Sequence, residues 1–270
     1  MFSKGLSICR GFESDSLIAK AAGVSVAVGT LAVLGTMVGP ASASVIYSGS
    51  FPGTSGENLN GVSPSTDATG TPWTADTAWK ANGSITADVA NYDAYLPFTP
   101  TDGQIYTLSA DLNPTSNATG FSNGWLAFAF LASGVLNQVI NANSSGAYTN
   151  AGPWMQDFVS GSSSQVTRHH SSTTGTPYAY QGTGIQDLQM VLNTAGANWT
   201  VQFFDNGTAL GSTYTYTANP TIADVGIGSQ AATGQVQDFS LTEQAVPEPA
   251  TLGLMGIGAL GLLLKRRRAV

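Results

Sequence analysis

Between residues 44 and 245, apolar and polar positions alternate with a period of two in one segment after another. In 104–112, Tyr106, Leu108, Ala110 and Leu112 share one face, the spacing of a half-buried β-strand. Residues 186–192 repeat the pattern with Leu188, Met190 and Leu192, and the next segment does so with Trp199, Val201 and Phe203. Residues 124–131 read GWLAFAFL, apolar on both faces, which predicts a central strand covered on both sides. Asn206-Gly207 tolerates the positive φ angles of a tight hairpin, so a turn is predicted there with a return strand over 208–217. Ile222, Val225 and Ile227 mark a further strand, and 236–242 (VQDFSLT) the last. Clusters of Gly, Ser, Thr, Asn and Pro between them read as loops. The longest polar stretches are 54–77 and 141–153. No segment of this region has a helical period. Many strands with turns between them predict an all-β fold, a single two-sheet antiparallel β-sandwich.

Both ends break the alternation. Lys4, Arg10 and Lys20 precede an uncharged stretch, 21–38, then Gly39-Pro40 and the triplet Ala41-Ser42-Ala43. A basic start, an apolar run and small residues at Ala41 and Ala43 predict a signal peptide over 1–43, cut after Ala43. An uncleaved N-terminal anchor is the other reading. At the far end, residues 250–264 carry no charge and Lys265, Arg266, Arg267 and Arg268 follow at once. Fifteen helical residues reach about 22 Å, short of a hydrocarbon core of about 30 Å. The snorkelling stem of Lys265 extends that reach. The basic cluster then acts as a stop-transfer tail kept on the cytoplasmic side. A signal helix and a transmembrane helix over 250–264 are thus expected to flank the sandwich, giving the division 1–43, 44–245 and 246–270.

This division changes how the composition reads. The chain has 270 residues, 9% of them charged, with a formal net charge of −7. Residues 44–245 hold only Lys80 and Arg168 against 13 acidic groups, a net charge of −11. The basic residues concentrate in the two ends. An acidic, sparsely charged domain is no nucleic-acid binder and no coiled coil. The single cysteine, Cys9, leaves with the leader, so no disulfide framework or thiol chemistry is expected.

Val246-Pro247-Glu248-Pro249-Ala250-Thr251, a short apolar run and a terminal basic cluster together resemble the PEP-CTERM sorting signal. That resemblance implies Sec export, processing by signal peptidase and an exosortase, and a transient inner-membrane anchor. Delivery to the cell surface or exterior follows, typically beside exopolysaccharide in a biofilm matrix. Within the middle region, segments 187–192, 199–204, Asn206-Gly207, 222–227 and 236–241 occur in the order of the concanavalin A-like (laminin G-like) jelly roll, which they resemble. In that family the final strand lies beside the N-terminal one, here 45–51.

Chemistry is sparse. Glycosidases place two carboxyl groups about the scissile bond. The only glutamates of the middle region, Glu57 and Glu243, lie in unrelated segments outside any such motif, so no catalytic residue is assigned. His169 and His170 follow Arg168. Neighbours on a strand point to opposite faces, which sets the two imidazoles against sharing a metal; their role stays open. No cofactor is expected, except that loop oxygens could hold calcium. Its candidate ligands are Asp67, Asp102, Asp157, Asp205 and Asn206, all of which also suit turns. Trp73, Trp79 and Trp154 lie in or beside polar stretches and are candidate sugar contacts, with capping of the sandwich ends as the alternative. The expected function is that of a non-catalytic surface or matrix protein, structural or exopolysaccharide-associated. A lectin-like carbohydrate-binding protein is the alternative, and a glycoside hydrolase the remaining one.

Overall fold

The computed structural model describes residues 42–49, 51–86, 91–132, 152–159, 165–169, 176–179 and 184–246. The expected signal helix and transmembrane helix lie outside them, apart from the last two leader residues. Strands β1 (Ser44–Ser48), β2 (Thr66–Asp67), β4 (Ser84–Ile85), β6 (Gln104–Asn117), β11 (Gln186–Asn193) and β12 (Thr200–Asp205) belong to one sheet. So do β13 (Thr208–Ala209), β14 (Tyr214–Thr215) and β16 (Ala232–Ala245). Its order is β13-β12-β11-β6-β16-β1-β2, with β14 on β12 and β4 on β16. The second sheet comprises β3 (Thr74–Ala75), β5 (Asn91–Pro97), β7 (Trp125–Leu131), β8 (Trp154–Phe158), β9 (Gln165–His169), β10 (Thr176–Ala179) and β15 (Asp224–Gln230). It runs β10-β9-β8-β7-β15-β5-β3. Pairing between these described strands is antiparallel throughout, and the fold is the predicted all-β sandwich.

The alternating apolar residues meet between the sheets. Tyr106, Leu108 and Leu112 of β6, Leu188, Met190 and Leu192 of β11, and Val201 and Phe203 of β12 are buried from one side. Leu126, Phe128 and Phe130 of β7 with Val225 and Ile227 of β15 close the core from the other. Each such side chain contributes roughly 1.5–3 kcal/mol on burial. Strand β7 is buried at every position, as its doubly apolar sequence predicts. The last strand pairs with the N-terminal one, Val45 facing Thr242 and Ser44 facing Glu243.

Three local expectations are corrected. The return strand over 208–217 is broken into β13 and β14, because Leu210 turns into the core between them and is 2% exposed. Strand β6 runs on to Asn117, with Pro114 beside a register shift in β16, where a missing N–H is tolerated. In β16 the alternation itself slips. Val236 and Phe239 are both fully buried although three residues apart. A bulge between Gln237 and Ser240, with Asp238 at φ 47°, absorbs the extra residue and returns Phe239 to the core face.

Candidate binding surfaces

The sorting junction is built by strand β16. Its last pairing is Ala245 with Gln104, and one further bond runs from the Val246 N–H to the Gly103 carbonyl at 3.1 Å. Gly103 sits at φ 83°, a turn conformation suited to glycine. The folded sheet therefore ends one residue before Pro247. Pro247, Glu248, Pro249 and the basic residues Lys265, Arg266, Arg267 and Arg268 lie outside the described residues, as does Ala41. Ala43 is exposed.

The second sheet has a buried layer on the side turned away from the core. Trp125, Ala127, Ala129 and Leu131 of β7 form a separate cluster with Trp154 of β8, and Tyr95 and Phe158 pack against it. The register sets Gly228 opposite Ala127 and Gly226 opposite Ala129, so small residues make the floor between larger rings. A side chain at Gly226 would meet the Ala94 carbonyl oxygen at 2.5 Å. Asp93 faces Gly228, Gln156 faces Ala127, and both are buried.

The structure places all three candidate sugar-contact tryptophans in the interior. Trp73 is 1% exposed, Trp79 0% and Trp154 5%. Trp73 lies between Phe51, at 5.7 Å between ring centroids, and Phe239, at 5.3 Å. None of the three presents an open ring face: Trp73 and Trp79 fill the core, where a large ring gains more than by facing water, and Trp154 packs in the outer layer of the second sheet.

The candidate calcium ligands are dispersed. Asp67 closes a turn, its Oδ1 accepting from the Thr69 N–H and hydroxyl and from the Gly70 N–H at 2.8–2.9 Å. Asp102 is exposed ahead of β6, and Asp157 is buried in the second sheet. Asp205 ends β12 and accepts from Asn206 Nδ2 at 2.9 Å, while Asn206 takes φ 47° in the hairpin turn. Among the described residues no group of three or more His, Cys, Asp or Glu side chains could hold a metal ion. Arg168 and His169 stand in register with Met155 and Trp154, which as neighbouring positions belong to opposite faces. His170 lies outside the described residues.

Glu57 accepts from the Thr54 N–H at 3.1 Å in the loop after β1. Glu243 accepts from the Ser44 hydroxyl at 3.1 Å on the first sheet. The two glutamates thus tie down separate loop and strand ends. A feature that periodicity did not reveal is an open polar cleft of about 370 Å3 along β16, beside Phe51, Asn82 and Asp238. It lies beside the bulge, which the sequence pattern hides.

A jelly-roll sandwich whose final strand runs straight into a membrane-sorting tail is the class of protein that these features define. Residues 245–268 match the PEP-CTERM protein-sorting motif, the C-terminal anchor and sorting signal of exosortase substrates. No curated protein is detectably similar in sequence. In structure, the chain is similar to the endo-1,3-β-glucanase from Streptomyces sioyaensis, at 14% identity and a TM-score of 0.53 over 77% of this chain and 99% of that one. It is also similar to the carbohydrate recognition domain of Emp47p (11% identity, TM-score 0.43, 76% and 97% covered). The Lotus tetragonolobus seed lectin gives 13% identity and a TM-score of 0.41 with 68% and 96% covered. At such identities the likeness is one of fold, and fold alone does not assign function.

Proposed function

We infer that this is an exported surface or extracellular-matrix protein, delivered through Sec and sorted by an exosortase, whose jelly-roll domain is a non-catalytic module associated with exopolysaccharide. The observation that carries this reading is the junction at Val246. The sorting motif starts inside the last strand of the sandwich, so the domain is the cargo and the tail is its address. Signal peptidase and exosortase are the processing partners, and the inner membrane a transient one. Support for a non-catalytic role comes from the two glutamates, each engaged in local structure. No cofactor is proposed for this role, and calcium would need ligands beyond the described residues.

The test is removal of residues 246–270 followed by fractionation into inner membrane, cell surface and medium. The truncated protein should fail to reach the surface or matrix pool. Unchanged delivery would refute the sorting role. Incubation of the intact protein with β-1,3-glucan and other neutral polysaccharides should release no reducing ends; release would return it to the hydrolases.

A further inference from the structure

A recess lies beside the bulge in β16 on the first sheet. Its walls are fixed by backbone. Val236 donates to the Gly83 carbonyl at 2.9 Å, and Gly83 donates to Lys80 at 2.8 Å. Gly83 holds φ 76°, and a Cβ there would stand 2.1 Å from the Val236 carbonyl oxygen and 2.9 Å from the Phe51 ring. On the opposite side, the Ser65 hydroxyl donates to the Gly49 carbonyl at 3.1 Å. The recess is therefore shaped before any ligand arrives, which lowers the entropy cost of binding.

Its polar groups are oriented as well. Gln237 Nε2 donates to Gln235 Oε1 at 2.6 Å, and Gln235 Nε2 donates to the Asn82 carbonyl at 2.8 Å. Asn82 Oδ1 accepts from the Ser84 N–H and hydroxyl at 3.2 and 2.7 Å. This relay uses the inner half of each amide. Among the described residues, Asn82 Nδ2, Gln237 Oε1 and the Asp238 carboxylate have no hydrogen-bond partner. One wall is the half-buried ring of Phe51, backed by Trp73 in a stack inclined at 17°. An amide donor, an amide acceptor and a carboxylate beside an aromatic ring suit a ligand with adjacent hydroxyls, each able to donate and accept, and one apolar C–H face.

Charge narrows the choice further. The Asp111 carboxyl is pushed above its ordinary range by burial first, and then by Asp187 and Asp238 beside it. Three carboxylates thus stand close together beside the bulge, in a domain of net charge −11. An anionic ligand would be repelled. A volume of about 370 Å3 lies at the small end of ligand pockets, the scale of one or two sugar rings.

We propose that the cleft formed by Phe51, Asn82, Gln237 and Asp238 binds a neutral pyranose of a polysaccharide chain and discriminates against uronic acids. The proposal deepens the exopolysaccharide reading above and rests on it only for the source of the ligand. The measurement is saturation-transfer NMR on the full chain in a zwitterionic detergent, since glycoside detergents would compete. The probes are the methyl pyranosides of glucose, galactose and mannose, with methyl glucuronide and galacturonide as the anionic arm. At least one neutral pyranoside should show transfer and neither uronide should. Asp238→Gly keeps the positive φ and removes the acceptor, so affinity for the neutral sugar should fall at least tenfold with the thermal melt retained. Asp238→Asn also tolerates that φ; it should keep part of the neutral binding and admit the uronides. No transfer from any neutral pyranoside to a folded chain would overturn the proposal. So would equal affinity in Asp238→Gly, or binding that requires added calcium. Failure here with normal surface delivery removes the cleft alone. Intact sugar binding with unchanged delivery of the tail-deleted protein removes the sorting reading alone.

Discussion

Thr194→Val is the most informative single substitution for the stability of the domain. Thr194 follows β11 and is 1% exposed. Its hydroxyl donates to the Thr101 carbonyl at 2.7 Å and accepts from the Gln104 N–H at 3.0 Å. Its N–H donates to the Gln104 carbonyl at 2.8 Å, and its carbonyl accepts from the Gly103 N–H at 3.1 Å. One side chain therefore fastens the turn before β6, the same turn that receives Val246. Valine has the same shape without the hydroxyl, so no cavity forms and only the hydrogen bonds change. Losing two such part-buried bonds costs about 2–4 kcal/mol. Thr194→Ser keeps the oxygen and loses one methyl, at about 1 kcal/mol. Urea unfolding followed by tryptophan fluorescence reads this directly, because all five tryptophans are buried. With a slope of about 2 kcal/mol per molar, the midpoint should fall by about 1–2 M for valine and about 0.5 M for serine. A valine variant within about 0.5 kcal/mol of wild type would refute the reasoning. Equal losses for valine and serine would assign the effect to methyl packing instead.

Gly83→Ala should cost about 3 kcal/mol or more, from the positive φ and the lost Val236 bond. Gly61→Ala, at φ 85° with open space around it, should cost only about 1–2 kcal/mol; equal midpoints for the two variants would disprove the close approach at Gly83. Asp111→Asn should stabilise the fold at pH 7. The folded state holds the Asp111 proton more tightly than the unfolded chain, so the wild type loses stability as pH rises from the ordinary value of 3.8 through the raised one. The advantage of the variant should vanish below pH 3.8, and its persistence there would exclude a charge origin. Burial raises the Tyr216 hydroxyl far above 10.0, with Tyr214 adding to the effect. Burial also raises Tyr47, aided by Asp67 and Asp224 and opposed by its bond to Thr69. Ultraviolet titration should show these two of the nine tyrosines ionising only on unfolding, with stability falling as pH rises above 10.0. Ionisation of all nine phenolates before unfolding would refute this.

Much of the sandwich was legible because alternation is a physical consequence of one buried face. Leu108, Met190 and Phe203 could be assigned to the core by spacing alone, and the Asn206-Gly207 turn by its tolerance of positive φ. The misses share one cause, since tertiary packing overrides a local pattern. Strand β8 buries Gln156 and Asp157, so its polar residues hid a strand covered on both faces. Strand β5 carries buried Asp93 in the same way. Trp73 and Trp79 stand among Ser, Thr and Gly, and their surroundings suggested a surface that their rings in fact anchor. The cleft was hidden most completely. Read as simple alternation, VQDFSLT sets Val236 and Phe239 on opposite faces, and only the bulge at Asp238 brings both inward. The one available signal was that contradiction between two large apolar residues three positions apart.

The arrangement of β1 and β16 connects the two export signals with the proposed binding surface. Ser44 lies opposite Glu243, so the leader junction and the sorting junction leave from the same end of the first sheet. The cleft lies near Gln237 and Asp238, at the middle of the same strand. Eight residues separate Gln237 from Ala245, about 26 Å at the rise of a β-strand. The carboxylates Asp111, Asp187 and Asp238 stand at about that distance from the sorting junction. The same geometry limits the tail. With the sheet closed through Val246, only residues 247–249 separate it from the uncharged segment, a reach of about 10 Å. A flexible ten-residue insertion after Val246 should therefore leave folding unchanged and speed tail processing in a pulse-chase measurement. An unchanged rate would mean that the sheet end frays before the sorting enzyme acts.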